Sequence, residues 1–275
     1  LGVMTFAGLI GRIFSSGISF QQQMMLNEYV VGDKLNEVSR TIMKIVFITL
    51  LVESIGAVFI FFTTLDLEFA TYSDRLFFAV FHSVSAFCNT GFVTFKNGMH
   101  NELLRFNYSF QLIVAGLFLF GGIGFPIVFA FYKNIKLSFL NLFRRIFLGL
   151  RPTHLARQYD LNAKLNIYTT IGLIFVAFVF IWIFEGNSSL SEHGIWGKFV
   201  GVFFAATTPR SAGFNAVDMS LISLPTIMLY LLYMWIGASP GGTGGGIKTT
   251  TFSLAVLNFM TISAGKEKII IFGRE

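Results

Sequence analysis

Charge is scarce in this sequence. Asp, Glu, Lys and Arg make up 12% of its 275 residues, about half the share of an ordinary soluble domain. So few charges cannot cover a water-facing surface, and a soluble globular fold is excluded on that ground. Cysteine is nearly absent too: Cys88 stands alone, which rules out an internal disulfide framework. Four histidines with no HExxH or CxxC spacing leave a structural zinc site without support. No basic stretch followed by a short apolar one opens the chain, so a secretory leader is not indicated. Residues 2–14 are apolar but too short to span, and read as the outgoing half of a helix begun earlier.

What is abundant is apolar. Hydrophobic residues reach 54%, with 35 Phe, and the mean hydropathy is +0.71. Residues 41–63, 107–132, 165–184 and 221–262 are runs long enough to cross a bilayer, which takes about 20 residues as a helix. Of the 20 basic residues, 14 fall in the segments 12–44, 133–164 and 264–275, and only Arg75, Lys96, Arg105 and Lys198 in the alternate loops. The positive-inside rule makes the first set cytoplasmic. The net charge of +6 is thereby accounted for by the membrane, and nucleic acid is not a partner. Arg210 and Lys248 are left over, inside the membrane pattern.

Sliding the sequence along itself exposes a repeat at an offset of 122, which superimposes Gly2, Gly124 and Gly246, and Gly122 with Gly244. The same register aligns FFAVFHSVSAFCNTGF (77–92) with FVGVFFAATTPRSAGF (199–214). Each unit reads as a long apolar helix, a short apolar segment (75–87 or 196–207) too short to span, a Gly-Phe strand, and a second long helix. Non-helical backbone at membrane depth survives only where protein buries it or water lines it. A half-helix returning through an extended glycine strand is the re-entrant loop of a pore, whose carbonyls can replace an ion's hydration shell. The candidate filter residues are Cys88, Asn89, Thr90 and Gly91 in one unit and Arg210, Ser211, Ala212 and Gly213 in the other. The backbone carbonyls of Asn89, Thr90, Ser211 and Ala212 are expected to face the ion, with Phe92 and Phe214 anchoring the strands in the wall. Arg210 braces its strand from behind or stands solvated at the outer mouth.

The segment GASPGGTGGGIKTTT (237–251) interrupts the last apolar run. It is no phosphate loop of the GxxxxGK[ST] form, because Ile247 separates Gly246 from Lys248 and no soluble strand–loop–helix unit surrounds it. Gly237, Ser239, Gly241, Gly242, Thr243, Gly244, Gly245 and Gly246 are instead expected to unwind the helix beside the pore as a gate, just cytoplasmic to the filter. Lys248 is an intramembrane charge, held by backbone carbonyls or a carboxylate, or reaching the cytoplasmic side. Glu53 is a carboxylate within the apolar pattern and is expected to bind a polar group on the adjacent half-helix; His82 reads as a satisfied buried imidazole. A phosphate-hydrolysing membrane enzyme and an anion pore using Lys248 and Arg210 remain as alternatives to a cation pathway.

FHSVSAFCNTGF, TTPRSAGFN and GASPGGTGGGIKTTTF resemble the second filter, third filter and gating loop of the Trk/Ktr/HKT superfamily of cation transporters, most nearly the bacterial Ktr/Trk membrane subunits. LGVMTFAGL is similar to the outgoing helix of that family's first repeat. The resemblance implies an all-α polytopic membrane protein of the cytoplasmic membrane, with helix–pore loop–helix repeats around a pseudo-fourfold pore. It divides the chain into residues 1–31 (end of repeat one and linker), 32–150 (repeat two), 151–263 (repeat three with its loop at 237–251) and 264–275 (linker to a fourth repeat). It implies potassium uptake and no enzymatic activity, a homodimer, and a cytoplasmic ring of nucleotide-binding regulatory subunits. Glycine at Gly91 and Gly213 fits potassium; sodium accompanies serine in the family's first filter.

Overall fold

The computed structural model describes residues 35–125, 127–128, 141, 145 and 161–266. The first-repeat end at 1–31, most of the basic linker between the repeats and the closing 267–275 lie outside the described residues. Among those described, the regular structure is helical apart from a single bridge pair.

Helix α1 (Leu35–Thr63) carries the first spanning segment, Met43–Thr63. Its apolar side chains Phe47, Leu50, Phe59 and Phe62 point outward, while Ile60 is fully buried. That is the pattern expected where lipid, rather than water, covers the surface. Helix α2 (Tyr72–Phe87) is a half-span that packs back against α1. A 3-10 turn (Gly98–His100) and the short α3 (Glu102–Arg105), capped by Asn101, follow on the basic-poor side. Helix α4 (Tyr108–Ile123) is capped by Asn107, whose carboxamide accepts from Phe110 N–H and donates to Thr63 O at 2.7 Å, tying α4 to the end of α1.

The second unit repeats the plan. Helix α5 (Leu161–Glu185) includes the other long apolar span, Asn162–Glu185. Helix α6 (Ile195–Thr207) is the half-span, and the outgoing helix comes in two pieces, α7 (Leu224–Trp235) and α8 (Thr249–Ser263). The outgoing helix of the first unit is also broken: the expected run through 107–132 stops at Ile123, and Gly124 takes φ 92.

The 122-residue offset is written in the backbone. Left-handed conformations occur at Asn89 and Ser211 (φ 53 and 75), at Gly91 and Gly213 (71 and 74), and at Gly124 and Gly246 (92 and 76). The units join through α4, which packs on α6. Phe118 sits between Phe204 and Phe214, with ring centroids 5.6 and 6.2 Å away, so one core serves the α4 side of unit one and the strand that follows α6 in unit two.

Candidate functional site

Each candidate filter strand hangs from the C-terminal end of its half-helix by hydroxyls. In the first, Ser85 Oγ donates to Phe92 O at 2.8 Å and Thr90 N–H to Ser85 O at 3.0 Å. In the second, Thr208 Oγ1 donates to Phe214 O at 2.6 Å, and the N–H groups of Ala212 and Gly213 both reach Thr208 O. His82 is the satisfied imidazole expected of it: Nδ1 donates to Phe78 O at 2.8 Å, and Nε2 accepts from Thr94 N–H at 3.4 Å.

The strands face each other at their glycines. An added Cβ on Gly91 would stand 2.8 Å from Ala212 O and 2.9 Å from the carbonyl carbon of Gly213. Four of the eight proposed filter residues therefore have the left-handed backbone that re-entrant strands need, and two of those, Asn89 and Ser211, are not glycine. The two phenylalanines part company. Phe214 is 1% exposed and anchors its strand as expected, whereas Phe92 is 68% exposed and packs into no wall among the described residues. Phe118 of α4 stacks on the Phe214 ring, with centroids 6.2 Å apart.

The glycine loop lies against both half-helix ends. It closes on itself through Gly237 N–H to Ile247 O, Ala238 N–H to Gly245 O and Ile247 N–H to Trp235 O, each 3.0 Å. Ser239 to Gly242 form a tight turn. The loop then crosses to the other unit: Ser239 and Thr243 donate their N–H groups to Gly122 O and Gly121 O at 3.0 Å, and Gly241 O accepts from Phe125 N–H at 3.2 Å. A helix end leaves its last carbonyls unpaired, and those freed where α4 stops at Ile123 are capped by this loop. Thr243 Oγ1 donates to Phe87 O at 3.0 Å and accepts from Asn89 Nδ2 at 2.6 Å, joining loop, half-helix and filter strand through one hydroxyl.

The charges settle as follows. Arg210 lies against the loop, where Nη2 reaches Gly237 O at 3.4 Å. Lys248 precedes α8 and folds back to donate to Gly244 O at 3.0 Å. Glu53 approaches the end of α2, accepting from Cys88 Sγ at 3.8 Å, while its backbone carbonyl accepts from Ser83 Oγ at 2.6 Å. Among the described residues no group of His, Cys, Asp and Glu could hold a metal ion.

A buried knot was not foreseen from sequence. Asn166 of α5 accepts at Oδ1 from Ser239 Oγ (2.7 Å) and from Thr249 Oγ1. Its signal was an amide inside the apolar run LNAKLNIYTT, but nothing in the sequence pairs it with residues more than 70 positions away.

Comparison with known proteins follows the same lines. The family model described as TrkH, cation transport protein, matches residues 1–270. The "Ktr system potassium uptake protein B" of Vibrio alginolyticus is 30% identical across all of this chain and 56% of its own length. The "Potassium/sodium uptake protein NtpJ" of Enterococcus hirae is 27% identical, again over the whole chain and 56% of the relative. The chain thus spans little more than half the length of these relatives. In fold it is similar to the crystal structure of the potassium transporter TrkH from Vibrio parahaemolyticus, with a TM-score of 0.63 and 18% identity over 98% of this chain and 49% of that one.

Proposed function

The chain belongs to the TrkH family of cation transport proteins, membrane-embedded and helical, and from that premise we propose that it forms two quarters of a potassium uptake pathway across the cytoplasmic membrane. On this reading residues 32–150 and 151–263 are the second and third repeats of a pseudo-fourfold pore. The filter is lined by backbone carbonyls of Asn89, Thr90, Ser211 and Ala212, and the 237–251 loop is its gate. The observation that carries the reading is the apposition of Gly91 with Ala212 and Gly213, with the glycine loop bonded beneath to Phe87 O. Partly dehydrated K+ would meet carbonyls at the strands and be stopped at the loop, whose position against both half-helix ends suits a gate.

The loop's own hydrogen bonds argue against phosphate hydrolysis. The amides of Gly237, Ala238, Ser239, Gly242 and Thr243 each donate to a backbone carbonyl, so they are not free to cradle an anion. Homodimerisation and control by a cytoplasmic nucleotide-binding ring belong to the same proposal. A sodium-permeable pathway is the second reading, favoured by the potassium/sodium name of the Enterococcus hirae relative. Uptake of Rb+ and Na+ by liposomes holding the full-length protein, under matched gradients, tests both. Strong Rb+ preference is expected. Equal uptake or Na+ preference replaces potassium with the sodium reading, and absence of any cation flux removes the pore.

A further inference from the structure

We propose that α5 is a splint across the broken outgoing helix, and that Asn166 is the positioning residue through which it holds the glycine loop shut. This rests on the reading of the loop as the gate.

Every part of the broken helix is bonded to one face of α5. In α7, Tyr233 donates its hydroxyl to Leu173 O at 2.8 Å. In the loop, Ser239 donates to Asn166 at 2.7 Å, and at the start of α8 Thr249 donates to the same oxygen. One turn further, Thr169 Oγ1 donates to Ser253 Oγ at 2.9 Å. Positions 166, 169 and 173 share a helical face and cover about 10 Å of axis, enough to bridge the interruption.

The chemistry at Asn166 is specific. A carboxamide oxygen has two lone pairs, and here two hydroxyls fill them in a site where Asn166, Ser239 and Thr249 are 3%, 1% and 0% exposed. Remove the acceptor and both buried hydroxyls lose it, leaving only the long 3.4 Å approach of Thr249 Oγ1 to Ser239 Oγ, an expensive outcome away from water. The repeat also shows that the fold does not require the knot. Its equivalents one offset earlier are Lys44, Leu117 and Ile127, which cannot form it. The amide–hydroxyl set occurs only in the unit that carries the glycine loop. Asn166 lies within the first two turns of α5, directly after the basic segment assigned to the cytoplasm. A force on that segment that shifts the start of α5 therefore acts on the loop's two ends at once.

The test is basal Rb+ uptake by liposomes holding the full-length protein without any cytoplasmic partner. Asn166→Leu and Thr249→Val should each raise uptake on the order of tenfold, the effect of losing ordinary hydrogen bonds from the closed loop alone. The double variant should not exceed Asn166→Leu, because Thr249→Val breaks one of the two bonds that Asn166→Leu already removes, and Thr249→Ser, which keeps the donor, should match wild type. Hydrogen exchange at Gly237 and Ala238 should quicken in the variants, with Thr90 and Ala212 unchanged. Should Asn166→Leu fail to fold, Ser239→Ala carries the comparison, removing a single hydroxyl. Deletion of residues 242–246 separates the two ideas. If the deletion raises uptake while the folded substitutions change neither uptake nor exchange, the splint is wrong and the gate stands. If neither deletion nor substitutions raise uptake, the gate reading falls and the splint with it.

Discussion

Gly91 and Gly213 hold the same repeat position and nearly the same backbone, φ 71 and 74, yet they are not equivalent. A side chain at either pays the left-handed penalty, about 1 kcal/mol or more. At Gly91 the new Cβ also collides with the backbone of the opposite strand, 2.8 Å from Ala212 O, while at Gly213 the nearest atom is 3.7 Å away, an ordinary contact. Gly91→Ser should therefore lower Rb+ flux and Rb+ over Na+ preference more severely than Gly213→Ser. Equal effects in the liposome assay would place the discrimination elsewhere. Thr243 makes a second residue-scale case, since its one hydroxyl pairs Phe87 O and Asn89 Nδ2. Thr243→Val leaves a half-helix carbonyl without that donor, and its thermal unfolding in detergent should show a loss of roughly 1–3 kcal/mol. Thr243→Ser, with the hydroxyl retained, should stay near wild type.

The glycine loop is an element held by main-chain bonds, and that sets which of its glycines are replaceable. A Cβ on Gly237 would sit 1.7 Å from Gly245 O, whereas a Cβ on Gly245 meets nothing within 4 Å. Gly237→Ala cannot keep the loop closed on Ile247 and should give a leaky or unstable protein, while Gly245→Ala should transport like wild type under the same Rb+ assay. At this scale the sequence was unusually readable. A left-handed backbone selects glycine, so the matched glycines of the repeat reported real matched conformations at 91/213 and 124/246. Half-helices were visible because their apolar runs are too short to span, and the 236–248 break because six of its residues are glycine. The break after Ile123 escaped notice, since the run stays apolar through it and its capping donors, Ser239 and Thr243, arrive from more than 110 residues later. Phe92 and Phe214 are the same letter in the same motif. What distinguishes them is Phe118, a neighbour supplied by the packing of one repeat on the next.

For the molecule as a whole, the two repeats are joined at two depths. Deep in the membrane the glycine loop bonds to the end of α4. On the basic-poor side, the connection before α4 meets those before and after α6: Arg105 pairs with Glu192, Tyr108 Oη lies 3.0 Å from His193 Nδ1, and His100 stands 3.9 Å from Asp218. The outer set is polar, half-buried and open to the surrounding pH. Burial holds His193 below the usual imidazole range, and the charge of Arg105 adds to it, partly offset by Glu192. A histidine whose folded pKa is lowered binds fewer protons folded than unfolded. Its contribution is thus complete above the unfolded value of about 6.5, falls as the pH drops through that value, and levels off below the folded pKa. Asp218, held low by its bonds to Ser220, adds a loss only at more acid pH, so the two are separable on the pH axis. Melting temperature of the detergent-solubilised full-length protein should therefore decline from pH 7.5 toward 5.5, and His193→Gln should flatten that slope without altering Rb+ over Na+ preference. An unaltered slope would mean that the contact between the repeats on this face does not titrate through His193.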